Sequence, residues 1–141
     1  MLQYRDNVLD GNTLNTLRMS VGWRAFSEKQ AEAAVRHSLY TVEVFEGDVP
    51  VGMGRVTGDC AAYFLLVDIV VRPEYQAHGI GRKIIDHTLT YVRQEMQSGN
   101  LPRVSVNLVA ANGKEGFYEK LGFHDIHREG TGTGMQIFLS C

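Results

Sequence analysis

The sequence predicts one α/β domain over residues 1–141, built on a central mixed, mostly antiparallel sheet with helices on both faces. Three observations predict it. Apolar residues recur with period two in some segments and period 3.6 in others, and the two kinds of segment are interleaved along the chain. Residues 61–71 are nearly all apolar, interrupted by Asp68, as in a strand buried on both faces at the centre of a sheet. A long helical pattern follows that run, and then another alternating strand. Such a strand–helix–strand unit closes as a right-handed parallel crossover.

The elements follow in order. Residues 2–6 form a short edge strand. From Gly11, Leu14, Leu17 and Val21 recur at helical spacing, and Gly22-Trp23 ends that helix. Ser27 caps a second helix running to about His37, with Ala31, Ala34 and Val35 toward the core. Residues 40–45 are β-branched and aromatic, Glu46-Gly47-Asp48 is a turn, and residues 49–57 return as the second arm of a hairpin. After a turn at Gly58-Asp59 comes the apolar strand 61–71, stopped by Pro73. Residues 79–96 carry one apolar stripe, Ile80, Ile84, Ile85, Thr88, Leu89, Val92 and Met96, and Gly99-Asn100 closes the helix. Val104, Val106 and Leu108 alternate in a strand over residues 103–109. Asn112 and Glu115 have the spacing of a capping box before a short helix to Leu121, with Gly122 at its left-handed end. A last strand is expected over residues 135–140.

Composition excludes several classes. Of 141 residues, 44% are hydrophobic and 21% charged, which is incompatible with wholesale disorder. The net charge of −2 and the lack of any Lys/Arg run argue against nucleic acid as a partner. No apolar run reaches the ~18 residues needed to span a bilayer, and residues 1–10 lack a signal-peptide pattern, so a cytoplasmic location is expected. Cys60 and Cys141 have no zinc spacing; a disulfide between them is possible on paper, but free thiols suit a reducing compartment. His124 and His127 lie three apart without an evident third ligand, so no metal is expected.

The chemistry concentrates in Val70-Val-Arg-Pro-Glu-Tyr-Gln-Ala-His-Gly-Ile-Gly-Arg82, where a buried strand ends and two glycines open the longest helix. The first N–H groups of a helix lack intrahelical partners and carry the positive end of its dipole. With glycines that let a ligand approach the backbone, they suit phosphate or pyrophosphate. Arg82 opposes that dipole unless a bound anion offsets it. The segment is not a P-loop, and Ile84 stands where a dinucleotide fingerprint needs its third glycine.

Gln76-Ala-His-Gly79-Ile-Gly81 instead resembles the signature of the GNAT superfamily of N-acetyltransferases: Gln or Arg, two residues, Gly, one residue, then Gly or Ala. Gly116-Phe-Tyr-Glu-Lys-Leu-Gly-Phe123 is similar to the family's second signature, one helix and one strand later. The resemblance implies transfer of an acetyl group from acetyl-CoA to a primary amine, by direct attack through a tetrahedral intermediate. It implies a splayed parallel strand pair with the pantetheine arm in the gap, against Ile69, Val70 and Val71. It assigns the pyrophosphate to Gln76, Ala77, His78, Gly79, Ile80, Gly81 and Arg82. It makes Tyr118 the general acid for the leaving thiolate, with Phe117 in the same signature.

Other roles stay open on the residues alone. Asp68 is either the general base or the partner of an arginine such as Arg55 or Arg72; Glu43 and Asp59 are weaker bases. Asn112 is either a cap or a pantetheine ligand, one residue out of the family's usual spacing. Lys120 either reaches a phosphate or faces solvent. The acceptor pocket is expected from residues 21–27 and 129–134, with Trp23 and Phe26 as an aromatic wall or as core. The acceptor class favoured is a small molecule; the alternatives are a protein lysine or N-terminus, or a CoA-binding sensor without turnover. Relatives that pair through sheet edges or C-terminal strands make a homodimer a further expectation.

Overall fold

A computed structural model describes residues 1–141, apart from the side chains of residues 128 and 129. Glu129, at the start of the expected acceptor loop, therefore lies outside the described side chains. The chain divides into two compact units, Met1–Leu108 and Val109–Cys141.

The first unit is a five-stranded sheet with helices on both faces. In chain order it contains β1 (Leu2–Asp6), α1 (Gly11–Ser20), α2 (Glu28–Arg36), β2 (Tyr40–Glu46), β3 (Val49–Gly58), β4 (Tyr63–Val71), α3 (Ile80–Ser98) and β5 (Ser105–Asn107). Strand order in space equals chain order. β1 to β4 pair antiparallel, and β4 pairs with β5 parallel. The crossover through α3 is what makes that last pair parallel.

Local chemistry sets the helix ends. The Asp10 carboxylate accepts from the Thr13 N–H at 2.8 Å and starts α1. Ser27 Oγ accepts from the Gln30 N–H at 3.1 Å and starts α2, as its sequence position predicts. One face of the sheet meets α1 and α2: Met53 and Val70 lie in a buried cluster with Leu9, Leu14, Leu17 and Ala31. The other face meets α3. A Cβ on Gly54 would stand 2.6 Å from Ile84 Cγ2, so α3 approaches to a distance that only glycine allows there. Successive β3 residues thus serve opposite layers, as the pleat requires.

Four expectations are corrected. β4 begins at Tyr63 and alternates between buried and more open positions, with Tyr63 64% exposed, instead of being buried on both faces. The parallel strand is three residues long rather than seven; past Asn107 no ladder holds it. The strand expected over residues 135–140 is not formed, and Met135, Ile137, Phe138 and Leu139 are exposed. Its local pattern favours a strand, but a strand exists only where a neighbour accepts its backbone ladder, and no described strand does. The capping box also fails: the N-cap is Lys114, two positions after Asn112, and no side chain caps the helix.

The second unit contains α4 (Glu115–Glu119) and a 3-10 turn, Ile126–Glu129. Gly122 (φ +97°) takes the left-handed position after α4, and the Phe123 N–H returns to the Tyr118 carbonyl at 3.2 Å.

Candidate active site

Two features of β4 shape the candidate site. The strand pairs with β5 only through Tyr63, Phe64 and Leu65. From Leu66 to Val71 no described strand pairs with that edge, so backbone polar groups there remain for another partner. The register with β3 also slips: Val67 faces Arg55 and Val70 faces Met53, which leaves Asp68 and Ile69 opposite Gly54 alone. This is a β-bulge, with Asp68 in the left-handed region at φ +51°. A bulge bends the strand and re-aims its side chains. Asp68 turns toward α1, and Ile69 Cδ1 lies 3.0 Å from the Cβ position that Gly54 lacks.

β4 then enters a 3-10 turn, Pro73–Tyr75, and a tight turn into α3. Gln76 is tied back to the strand, its amide donating to the Val71 carbonyl at 2.9 Å. His78 Nδ1 lies 3.2 Å from the Tyr75 carbonyl. Ala77 (φ +65°) and Gly79 (φ +82°) both take left-handed conformations, and no heavy atom outside the immediate chain lies within 4 Å of a Cβ at Gly79. Gly79 is the N-cap and supplies no side-chain oxygen. The first-turn N–H groups of a 19-residue helix are thus left without a cap. Arg82 is exposed and makes no ion pair or hydrogen bond with another described residue. An uncapped helix start, open space above a glycine and an unneutralised guanidinium fit a diphosphate. The adjoining β4 edge fits an amide-bearing arm. The residues expected to hold acetyl-CoA in the first unit are therefore brought together.

Asp68 is not a lone carboxylate. Arg18 Nη1 of α1 donates to Oδ1, while Arg55 Nε and Nη2 of β3 reach Oδ2 at 2.9 and 2.8 Å. Arg55 also donates to the Ala34 carbonyl at 3.0 Å and to Ser38 Oγ at 2.9 Å. All three side chains are largely out of water, at 15%, 5% and 8% exposure for Arg18, Asp68 and Arg55. Of the two sequence-derived alternatives, the arginine partner is the one present, and it is Arg55 rather than Arg72. Arg72 instead donates to the Pro50 carbonyl at 2.7 Å.

Arg18 and Asn15 escaped the sequence reading. The Asn15 side chain forms a reciprocal pair with the Phe26 backbone, donating at 3.0 Å and accepting at 2.9 Å. Arg18 donates to the Arg24 carbonyl at 2.9 Å, and its guanidinium lies 4.1 Å from the Phe26 ring centroid and 5.5 Å from that of Trp23. Trp23 and Phe26 also pack against the core cluster, which is the core role of the two foreseen for them. The available signal was Arg18 four residues after Leu14, a charge on the apolar stripe of α1.

Two further carboxylates were candidates. Glu43 pairs across from Met53 on the α1 side of the sheet and is 3% exposed. Burial, reinforced by Asp10 and opposed by Arg5, pushes its carboxyl up to about 7. Asp59 is exposed, and N–H groups of Tyr63, Ala62 and Ala61 hold its carboxyl below the ordinary range.

In the second unit, Tyr118 makes edge contacts with Phe117 (5.0 Å) and Phe123 (5.9 Å). Burial raises its phenol above the usual value. Asn112 and Lys120 are exposed. Among the described residues, no cluster of three His, Cys, Asp or Glu is placed to hold a metal ion, and no helix is long and apolar enough to cross a membrane. Both cysteines are free.

Comparison with known proteins agrees with this architecture. Residues 36–125 match the model of the acetyltransferase (GNAT) domain. A ycf52-like N-acetyltransferase of Prochlorococcus marinus, itself uncharacterised, is 29% identical over 119 residues, 82% of this chain and 63% of that protein. Serotonin N-acetyltransferase 2, chloroplastic, of Oryza sativa subsp. japonica is also 29% identical over 119 residues, 82% of this chain and 56% of that protein. The chain thus spans less than two thirds of the length of both relatives. The crystal structure of SA2161 from Staphylococcus aureus superposes with a TM-score of 0.82 at 27% identity, covering 97% of this chain and all of that one. With both signatures present, a bulged and half-paired β4 and an uncapped α3, the chain belongs to the GNAT family of acetyltransferases.

Proposed function

We propose that this protein transfers an acetyl group from acetyl-CoA to the primary amine of a small molecule, with both units serving one transferase domain. The observation that carries the proposal is the uncapped, glycine-opened start of α3 beside the unpaired edge of β4. Acetyl-CoA supplies an activated thioester. Backbone N–H groups of residues 76–82 hold its pyrophosphate, with Arg82 adding charge, and Ile69, Val70 and Val71 meet the pantetheine arm. Asn112, Phe117 and Lys120 are assigned to the same coenzyme from the second unit.

Three tasks remain for the protein. An N–H at Ile69 or Val70, beside the bulge, stabilises the oxyanion; one such donor is worth roughly 3 kcal/mol. Tyr118 protonates the departing sulfur. Its burial keeps the phenol neutral and therefore able to donate. The amine must lose a proton, and Asp68, with both oxygens engaged by guanidiniums, is poorly placed to take it. Water leading to bulk takes it instead.

Trp23 and Phe26 offer aromatic surface for the acceptor. The rice relative is named for serotonin, an aromatic amine, which supports testing such amines first. A cytoplasmic setting is proposed on the free thiols and the absence of a long apolar helix among the described residues. Pairing of two copies is proposed as well. The test is a panel of aromatic amines, polyamines, aminoglycosides and lysine peptides with acetyl-CoA and thiol detection. Thiol release with one small-amine class is expected. Release only with peptides would overturn the acceptor class. Acetyl-CoA binding without release would make the protein a sensor.

A further inference from the structure

The proposed acceptor segment and the proposed thioester site meet at one side chain. Arg18 projects from α1, one helical turn after Asn15. Its Nε donates to the Arg24 carbonyl, and its guanidinium carbon lies over the Phe26 ring at 4.1 Å and over the Trp23 ring at 5.5 Å. All three partners belong to the connection between α1 and α2. Its Nη1 donates to Asp68, the residue that forms the β4 bulge in a left-handed conformation an L side chain rarely adopts.

Arg55 holds Asp68 from the other oxygen but reaches α2 and Ser38, not the connection. Asn15 holds the connection but not the bulge. Among the described residues, Arg18 alone bonds both.

We propose that Arg18 is a positioning residue: it sets the amine-binding connection in register with the β4 bulge, so that the amine meets the thioester carbonyl held at that bulge. This inference rests on the transferase reading above. Guanidinium suits the task because its fork and its flat face act at once. Nη1 serves Asp68, Nε serves the Arg24 carbonyl, and the cation sits over the Phe26 ring. Lysine supplies a charge without the fork or the face. Small misplacements of reacting groups cost large factors in rate, so a looser connection is read in amine kinetics before coenzyme binding.

The test compares Arg18→Lys and Phe26→Leu with the wild type, using the best amine of the panel. Arg18→Lys keeps a cation beside Asp68. Phe26→Leu removes the stacked ring and leaves the ion pair intact, which keeps the test available if the arginine variant folds poorly. Acetyl-CoA affinity is measured by calorimetry and KM and kcat by thiol release. In both variants KM for the amine is expected to rise at least about tenfold, while the acetyl-CoA Kd stays within about twofold of wild type. Added guanidinium at millimolar concentration is expected to recover part of the lost amine affinity in Arg18→Ala. Amine KM and kcat within twofold of wild type in a folded variant would overturn the proposal. So would equal weakening of amine and coenzyme, the signature of general loosening. Failure of the wild type to release thiol with any amine would remove the parent reading, and this one with it, before any variant is made.

Discussion

Glu43→Gln isolates a buried carboxyl whose neighbourhood disfavours charge. Glu43 sits on β2 beneath the start of α1, 3% exposed, with Asp10 adding repulsion and Arg5 partly relieving it. Its carboxyl is raised from 4.5 to about 7 in the folded protein. The sign follows from linkage. Below pH 4.5 both states hold the proton and Glu43 costs nothing. As pH rises the unfolded chain ionises first, so stability falls until the native group also ionises, near pH 7. At 1.36 kcal/mol per pH unit, the two values give a loss of about 2.5 kcal/mol between pH 5 and pH 8. For a 141-residue chain this corresponds to a melting-temperature difference of about 8 °C. Thermal melts of wild type and Glu43→Gln at several pH values supply the measurement. Every other titrating group is common to both proteins and cancels in the difference. The wild type should lose stability relative to the variant as pH rises. Parallel curves would refute the reasoning, because the native carboxyl would then titrate as in the unfolded chain.

Three other outcomes are expected. Tyr118→Phe should lower kcat about 100-fold with the acetyl-CoA Kd nearly unchanged, measured by thiol release and calorimetry; an unchanged rate removes Tyr118 from the proton path. Gly79→Val places a β-branched residue at φ +82° and should weaken acetyl-CoA binding about tenfold, read by calorimetry. Gly54→Ala puts a methyl group 2.6 Å from Ile84 and 3.0 Å from Ile69, and should destabilise by about 1–3 kcal/mol in urea titration.

The central β4–α3–β5 unit was readable because its signals are local: a long apolar run, a glycine pair, and a stripe of isoleucines spaced by the helix period. The ends of elements followed from caps that act within three residues, as Ser27 does on Gln30. The second unit was read less well. Residues 135–140 have the composition of a strand, yet a strand depends on an edge elsewhere in space, which no local window contains. The capping box at Asn112 failed because the turn closes through the Lys114 N–H to the Ala111 carbonyl at 2.9 Å, which delays the helix. Arg18 and Asp68 lie 50 positions apart, so their bond depends on a bulge whose cue in the sequence was a single charge in an apolar run.

The half-paired β4 also bears on handling the protein. A row of unsatisfied strand amides and carbonyls is a template for any extended chain, including another molecule of this one. On the proposed function, a coenzyme arm paired to this row would act as a guard against aggregation as well as a reagent. Preparations stripped of it should self-associate more readily on warming than those kept saturated.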